Sequence, residues 1–123
     1  MPGDTADVLM FGGAMTDLPP AALADAMRRA GIPLETRESS LFTGGEYVRI
    51  VTASGVDCSF ERVAPAEYLV RGDADGLAEL RAFARALSGA LSVLGVRHRL
   101  EVYAEDESLA AYLHHQWPRD AEE

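Results

Sequence analysis

Between Leu77 and Leu94 apolar side chains recur at intervals of three and four, apart from the adjacent Phe83 and Ala84: Leu77, Leu80, Phe83, Ala84, Leu87, Leu91 and Leu94. Only a helix gathers that spacing onto one stripe; a strand would scatter it over both faces. Asp73 or Asp75 stands where a first-turn cap is needed, and Gly95 where a left-handed residue can end the last turn. A helix with a single apolar stripe must be covered by another layer. The rest of the chain therefore has to supply a sheet or a helix pair.

It supplies mostly sheet. DVLMFG (7–12) is a short apolar run that reads as a buried strand, broken by Gly12 and Gly13. A second helix follows: Thr16 or Asp17 can cap it, Pro19 and Pro20 suit its first turn, and Leu18, Leu23, Ala26, Met27 and Ala30 form its stripe. Gly31 and Pro33 end it. Beyond Leu34 the period falls to two. LETRES (34–39) reads as a strand, LFTGG (41–45) as a connection, and EYVRIV (46–51) as a strand. VDCSFERV (56–63) alternates Val56, Cys58 and Phe60 against Asp57, Ser59 and Glu61, and EYLVRG (67–72) is a short strand. After the second helix, VRHRLEVYA sets Val96, His98, Leu100 and Val102 on one side. ESLAAYLHHQWP (107–118) fits a helix through Leu109, Leu113 and Trp117, or a strand through Ala111, Leu113 and His115.

The two halves share an order: strand, acidic cap, helix, glycine, strand, strand. That parallel favours a strand for the last segment. The expected fold is α+β, with two βαββ-like halves forming a mainly antiparallel sheet and two helices packed on one face. Residues 1–123 are expected to form a single domain, with 1–6 and 119–123 as flexible termini.

Composition narrows the function. The chain is 48% apolar and 25% charged, as an ordinary globular domain is, and carries a net charge of −9. All 11 basic residues are arginine, so mechanisms that need a lysine (Schiff bases, phosphate-loop lysines) are excluded. The arginines form no cluster, which argues against a nucleic-acid partner. No run approaches the roughly 20 apolar residues that span a bilayer, MPGDTAD has no secretory pattern, and Cys58 is the single cysteine. A cytoplasmic protein with no membrane partner is expected.

Catalytic motifs are lacking. FGGAMTD has neither G-x-G-x-x-G nor a lysine-bearing phosphate loop, and Asp17 would repel an anion there. Ser39, Ser40 and Ser54 lie in no nucleophile elbow, and Cys58 alternates with core residues. The RGD at 71–73 sits at a strand-to-helix junction, where Asp73 serves as a cap. His114 and His115 are adjacent, so on a strand they face opposite ways and cannot share one metal. No metal site, catalytic residue or cofactor is expected.

Three classes remain. The favoured one is a non-catalytic acidic interaction module, such as an inhibitor, immunity or antitoxin-like protein, that binds a basic protein. Its contact residues are expected near the last hairpin: Tyr103, Glu105, Asp106, Glu107, Tyr112 and Trp117. The alternative is a small-ligand binder or simple histidine-dependent enzyme with a pocket on a curved sheet, using His98, His114, His115 and Glu101. That alternative requires a concave pocket in which at least two of these groups converge. The third class is a homodimer paired through strand edges.

Overall fold

The computed structural model describes residues 8–30, 40–44, 46–52 and 55–116, and the two periodicities resolve there into seven strands and two helices. In chain order these are β1 (Val8–Met15), α1 (Pro20–Arg29), β2 (Ser40–Gly44), β3 (Tyr47–Val51), β4 (Asp57–Ala64), β5 (Glu67–Ala74), α2 (Leu77–Val93), β6 (Arg97–Tyr103) and β7 (Leu109–His115). The strands form one sheet in the order β2-β3-β4-β5-β1-β6-β7, and every neighbouring pair is antiparallel. It follows that β1 and β2 run the same way with three strands between them, and that β5 and β6 run the same way around β1. Each helix is thus a crossover between strands of equal direction, and both pack on the sheet. α1 lies on β2 and β3; α2 lies on β6, β7, β1 and β5.

The two βαββ halves are present in sequence but interleaved in space, because β1 inserts between β5 and β6. This insertion makes β1 central, and it explains why Gly12 and Gly13 do not end the strand. A Cβ at Gly12 would run into the Arg99 carbonyl oxygen of β6, with the Arg99 carbonyl carbon at 3.0 Å and the Leu100 Cα at 3.1 Å. Glycine here lets two backbones approach closely inside a strand rather than breaking it.

In β1, β3, β4, β5 and β6 the even-numbered side chains up to the strand ends turn towards the helices, and the odd-numbered ones turn away. The helix side holds the core. Met10, Ile50, Phe60, Tyr68 and Leu100 from the sheet meet Leu23 and Met27 of α1 and Leu80, Leu87 and Leu91 of α2, all fully buried. Each such aliphatic side chain contributes roughly 1.5–3 kcal/mol. Tyr68 brings its polar tip with it: the hydroxyl donates to the Leu18 carbonyl at 2.6 Å, and burial raises the phenol above its ordinary pKa.

Several local expectations are corrected. The N-caps are Pro19 and Gly76, neither with a side-chain cap bond, so none of Thr16, Asp17, Asp73 and Asp75 stands at a cap position. Thr16 Oγ1 instead accepts the Leu18 N–H at 3.2 Å. The RGD tripeptide lies within β5, which runs on to Ala74; its pairing with β1 continues to Val8↔Ala74 and outcompetes an early helix start. Part of the expected LFTGG connection is β2, drawn into the sheet by pairing with β3. The strand expected at LETRES falls outside the described residues, as do the segments 1–6 and 119–123. The segment before His115 is a strand: β7 pairs with β6, with a register shift between Val102 and Tyr103 that leaves Leu109 exposed. No helix among the described residues is long and apolar enough to cross a membrane.

Candidate functional site

Two helices on one side of a seven-stranded sheet leave the other side without a covering layer among the described residues. That open face carries the features that a binding site needs. Next to its middle strand, β5, runs the odd-numbered side of β1, which is uncharged along its length: Leu9, Phe11, Gly13 and Met15. Leu9 and Phe11 are 39% and 41% exposed, and Leu69 beside them on β5 is 40% exposed. These three large apolar side chains, each about two-fifths in water, lie on adjacent strands and line one concavity.

Charged columns flank the stripe. On the next strands out, Arg49, Ser59 and Arg71 lie in one cross-strand row with Phe11 and Glu101. Arg49 grips Asp57 with two bonds, Nε to Oδ1 at 3.0 Å and Nη2 to Oδ2 at 2.6 Å. The bonded guanidinium holds the Asp57 carboxyl below its usual pKa, and the carboxylate raises that of Arg49. On the other flank Glu101 accepts from Arg99 Nη1 at 2.8 Å and from the Tyr103 hydroxyl at 2.8 Å. The bond to Glu101 pushes the Tyr103 phenol up, and the Tyr103 ring lies 6.1 Å from that of Phe11. Leu9, Phe11, Leu69, Arg49, Ser59 and Arg71 are among the residues that line a concavity of about 490 Å³ on this face. That is the size range of ligand clefts.

Carboxylates crowd one end of the sheet. Asp57 and Asp73 are directly opposed on β4 and β5, level with Leu9. Asp75 and Glu79 follow at the start of α2, and the β6–β7 turn adds Glu105, Asp106 and Glu107 at the same end. The turn is shaped by its own residues: Asp106 accepts from the Ser108 N–H (3.0 Å) and hydroxyl (2.6 Å), which lowers its pKa, and Glu107 takes a φ of 70°.

Of the residues expected near the hairpin, Tyr103 joins the open-face patch through Phe11. Glu105, Asp106 and Glu107 are exposed in the turn. Tyr112 sits opposite Glu101 on the open face, 5.3 Å from the His114 ring. Trp117 lies outside the described residues. The histidines separate as adjacent strand residues must. His115 faces the helix side and stacks on His98 at 6.0 Å, while His114 faces the open side opposite Arg99.

His98 itself is fully buried. Its Nδ1 lies 2.9 Å from the Val96 carbonyl and its Nε2 2.7 Å from the Ser88 hydroxyl. A carbonyl only accepts, so Nδ1 carries the proton and Nε2 accepts from Ser88. Burial lowers the His98 pKa and outweighs the Val96 bond, with the nearby His115 and His114 adding to the lowering. His98 is thus a satisfied core group, and Glu101 lies on the other side of the sheet. Among the described residues no three histidine, cysteine, aspartate or glutamate side chains are grouped to hold a metal. Cys58 is fully buried, and desolvation raises its thiol pKa far above the ordinary value.

The apolar patch on β1 and β5 was not expected from the sequence. VLMFGGAM reads as uniformly apolar, and periodicity cannot reveal that one side of such a strand stays uncovered. Compared with known proteins, the chain matches no family model, no curated protein and no solved structure.

Proposed function

We propose that the protein is a non-catalytic binding module that docks a basic partner protein on the open face of its sheet. The observation that carries this reading is the half-exposed cluster of Leu9, Phe11 and Leu69 on the central strands. Covering it removes apolar surface from water at the middle of an interface, where affinity concentrates. The carboxylates at the Leu9 end, with a net charge of −9, favour and steer a cationic partner. An inhibitor, immunity or antitoxin-like role fits such a module. Arg49 and Arg99 of the face are each paired with a carboxylate, Asp57 and Glu101, and the two neighbouring arginines of β6, Arg97 and Arg99, are too few to form a basic tract for a phosphate backbone. The lone buried Cys58 suits a reducing compartment, and the reading places the protein in the cytoplasm.

A pull-down at low and at high salt, run in parallel with Phe11→Asp, tests this. The reading expects a basic protein recovered at low salt, lost at high salt, and absent with Phe11→Asp. Recovery of nothing at low salt, or equal recovery by the variant, contradicts it. A small-ligand reading draws on the volume of the concavity alone, about 490 Å³. Native mass spectrometry showing a co-purifying small molecule that is lost on Leu69→Asp substitution would favour that reading instead.

A further inference from the structure

We infer that the segment received by the open face is an amphipathic α-helix lying along β1, with its basic flank over β4 and β5. The inference rests on the docking reading above and adds the conformation and orientation of what docks.

β1 and β5 are interior strands whose N–H and C=O groups are already engaged with β6, β5, β1 and β4. A segment laid over them finds no ladder to extend. An extended segment would press unsatisfied peptide groups onto Leu9, Phe11 and Leu69, and each group buried unpaired is costly. A helix satisfies its peptide groups internally and presents only side chains.

The uncharged column of β1 is a straight apolar line between charged neighbours, matching one apolar stripe between two polar flanks. The concavity between Phe11, Leu69 and Arg71 gives projecting apolar side chains a place to seat.

On β3, β4 and β5 the open face carries Asp57, Glu61, Glu67 and Asp73 against Arg49 and Arg71, four acids to two bases. Along β6 itself it carries Glu101 against Arg97 and Arg99, one acid to two bases, the exposed Glu105, Asp106 and Glu107 lying beyond the strand in the turn at its end. A helix with lysine or arginine along one flank is accepted in one orientation, with that flank over β4 and β5.

Fluorescence anisotropy with synthetic peptides tests this. The probes are capped peptides of about 18 residues, long enough for a stable helix: leucine and lysine in helical spacing, the same composition in strict alternation, and leucine and glutamate in helical spacing. The helical leucine–lysine peptide is expected to bind wild type, to gain helical circular dichroism on binding, and to weaken by roughly tenfold or more with Phe11→Asp, a loss of about 1.4 kcal/mol. Leu69→Ser, a milder change, should weaken it less, with an unchanged melting curve. Equal or tighter binding of the alternating peptide, still lost with Phe11→Asp, overturns the helical occupant and leaves the docking face standing. Tighter binding of the leucine–glutamate helix overturns the charge assignment. Indifference of every peptide to Phe11→Asp, or absence of binding, overturns the inference; if the salt-dependent pull-down nevertheless succeeds, the docking reading survives without it.

Discussion

Gly12→Ala is the sharpest test of the β1–β6 pairing that builds the open face. Gly12 has no left-handed backbone that would require glycine, so in an ordinary strand alanine would gain about 0.5–1 kcal/mol from the lower entropy of the unfolded chain. Here the added methyl falls onto the Arg99 carbonyl oxygen, with the carbonyl carbon at 3.0 Å and the Leu100 Cα at 3.1 Å. All three are backbone atoms and no rotamer change relieves the clash, so β1 and β6 must part. Overpacking costs about 1–3 kcal/mol, and a backbone neighbour puts this case at the upper end. The net expectation is a loss of about 2–2.5 kcal/mol, which for a domain of this size lowers Tm by about 6–12 °C. Gly89→Ala supplies the opposite sign: it lies within α2 with nothing within 4 Å of the added methyl. That change should raise Tm by about 2–5 °C through helix propensity. Calorimetry on both variants settles the matter. A Gly12→Ala protein melting at or above wild type would refute the close approach of β1 and β6.

Leu87→Asp buries a carboxylate in the core and should abolish the cooperative melt, while Val93→Asp, on a residue 79% exposed, should leave it in place by circular dichroism. His98 is held neutral below its ordinary pKa of 6.5, so the unfolded chain takes up the proton more readily. Stability should be full above about pH 6.5 and fall as pH drops below it, by at most about 1.4 kcal/mol per pH unit for this one group. Urea titrations between pH 7.5 and 5 on wild type and His98→Gln should show a shallower slope in the variant. Cys58, 0% exposed, should resist a thiol reagent in the native state and react with one equivalent once unfolded; rapid native labelling would place β4 wrongly.

Legibility followed periodicity. The α2 stripe from Leu80 to Leu91 and the alternation of Val56, Cys58 and Phe60 stated both element type and buried face. Opposite facing of His114 and His115 followed once the segment was a strand. The caps failed because Asp73 is held in β5 by pairing with β1, a long-range contact that no local motif encodes. Gly12 and Gly13 looked like a break because a close approach of two strands 87 positions apart, as for Gly12 and Arg99, leaves no local trace. The open face escaped notice for a related reason. Leu9 and Phe11 look like core residues until the strand order shows that two helices have only one side of the sheet to cover.

The open face is a docking surface only if the Leu9–Phe11–Leu69 patch meets a partner. A photocrosslinking phenylalanine analogue introduced at Phe11, and separately at Val93 on the exposed side of α2, measures this in the native cell. Adducts with a basic protein from position 11 and none from position 93 are what the account predicts. Adducts from position 93 alone, or from neither position, would contradict it.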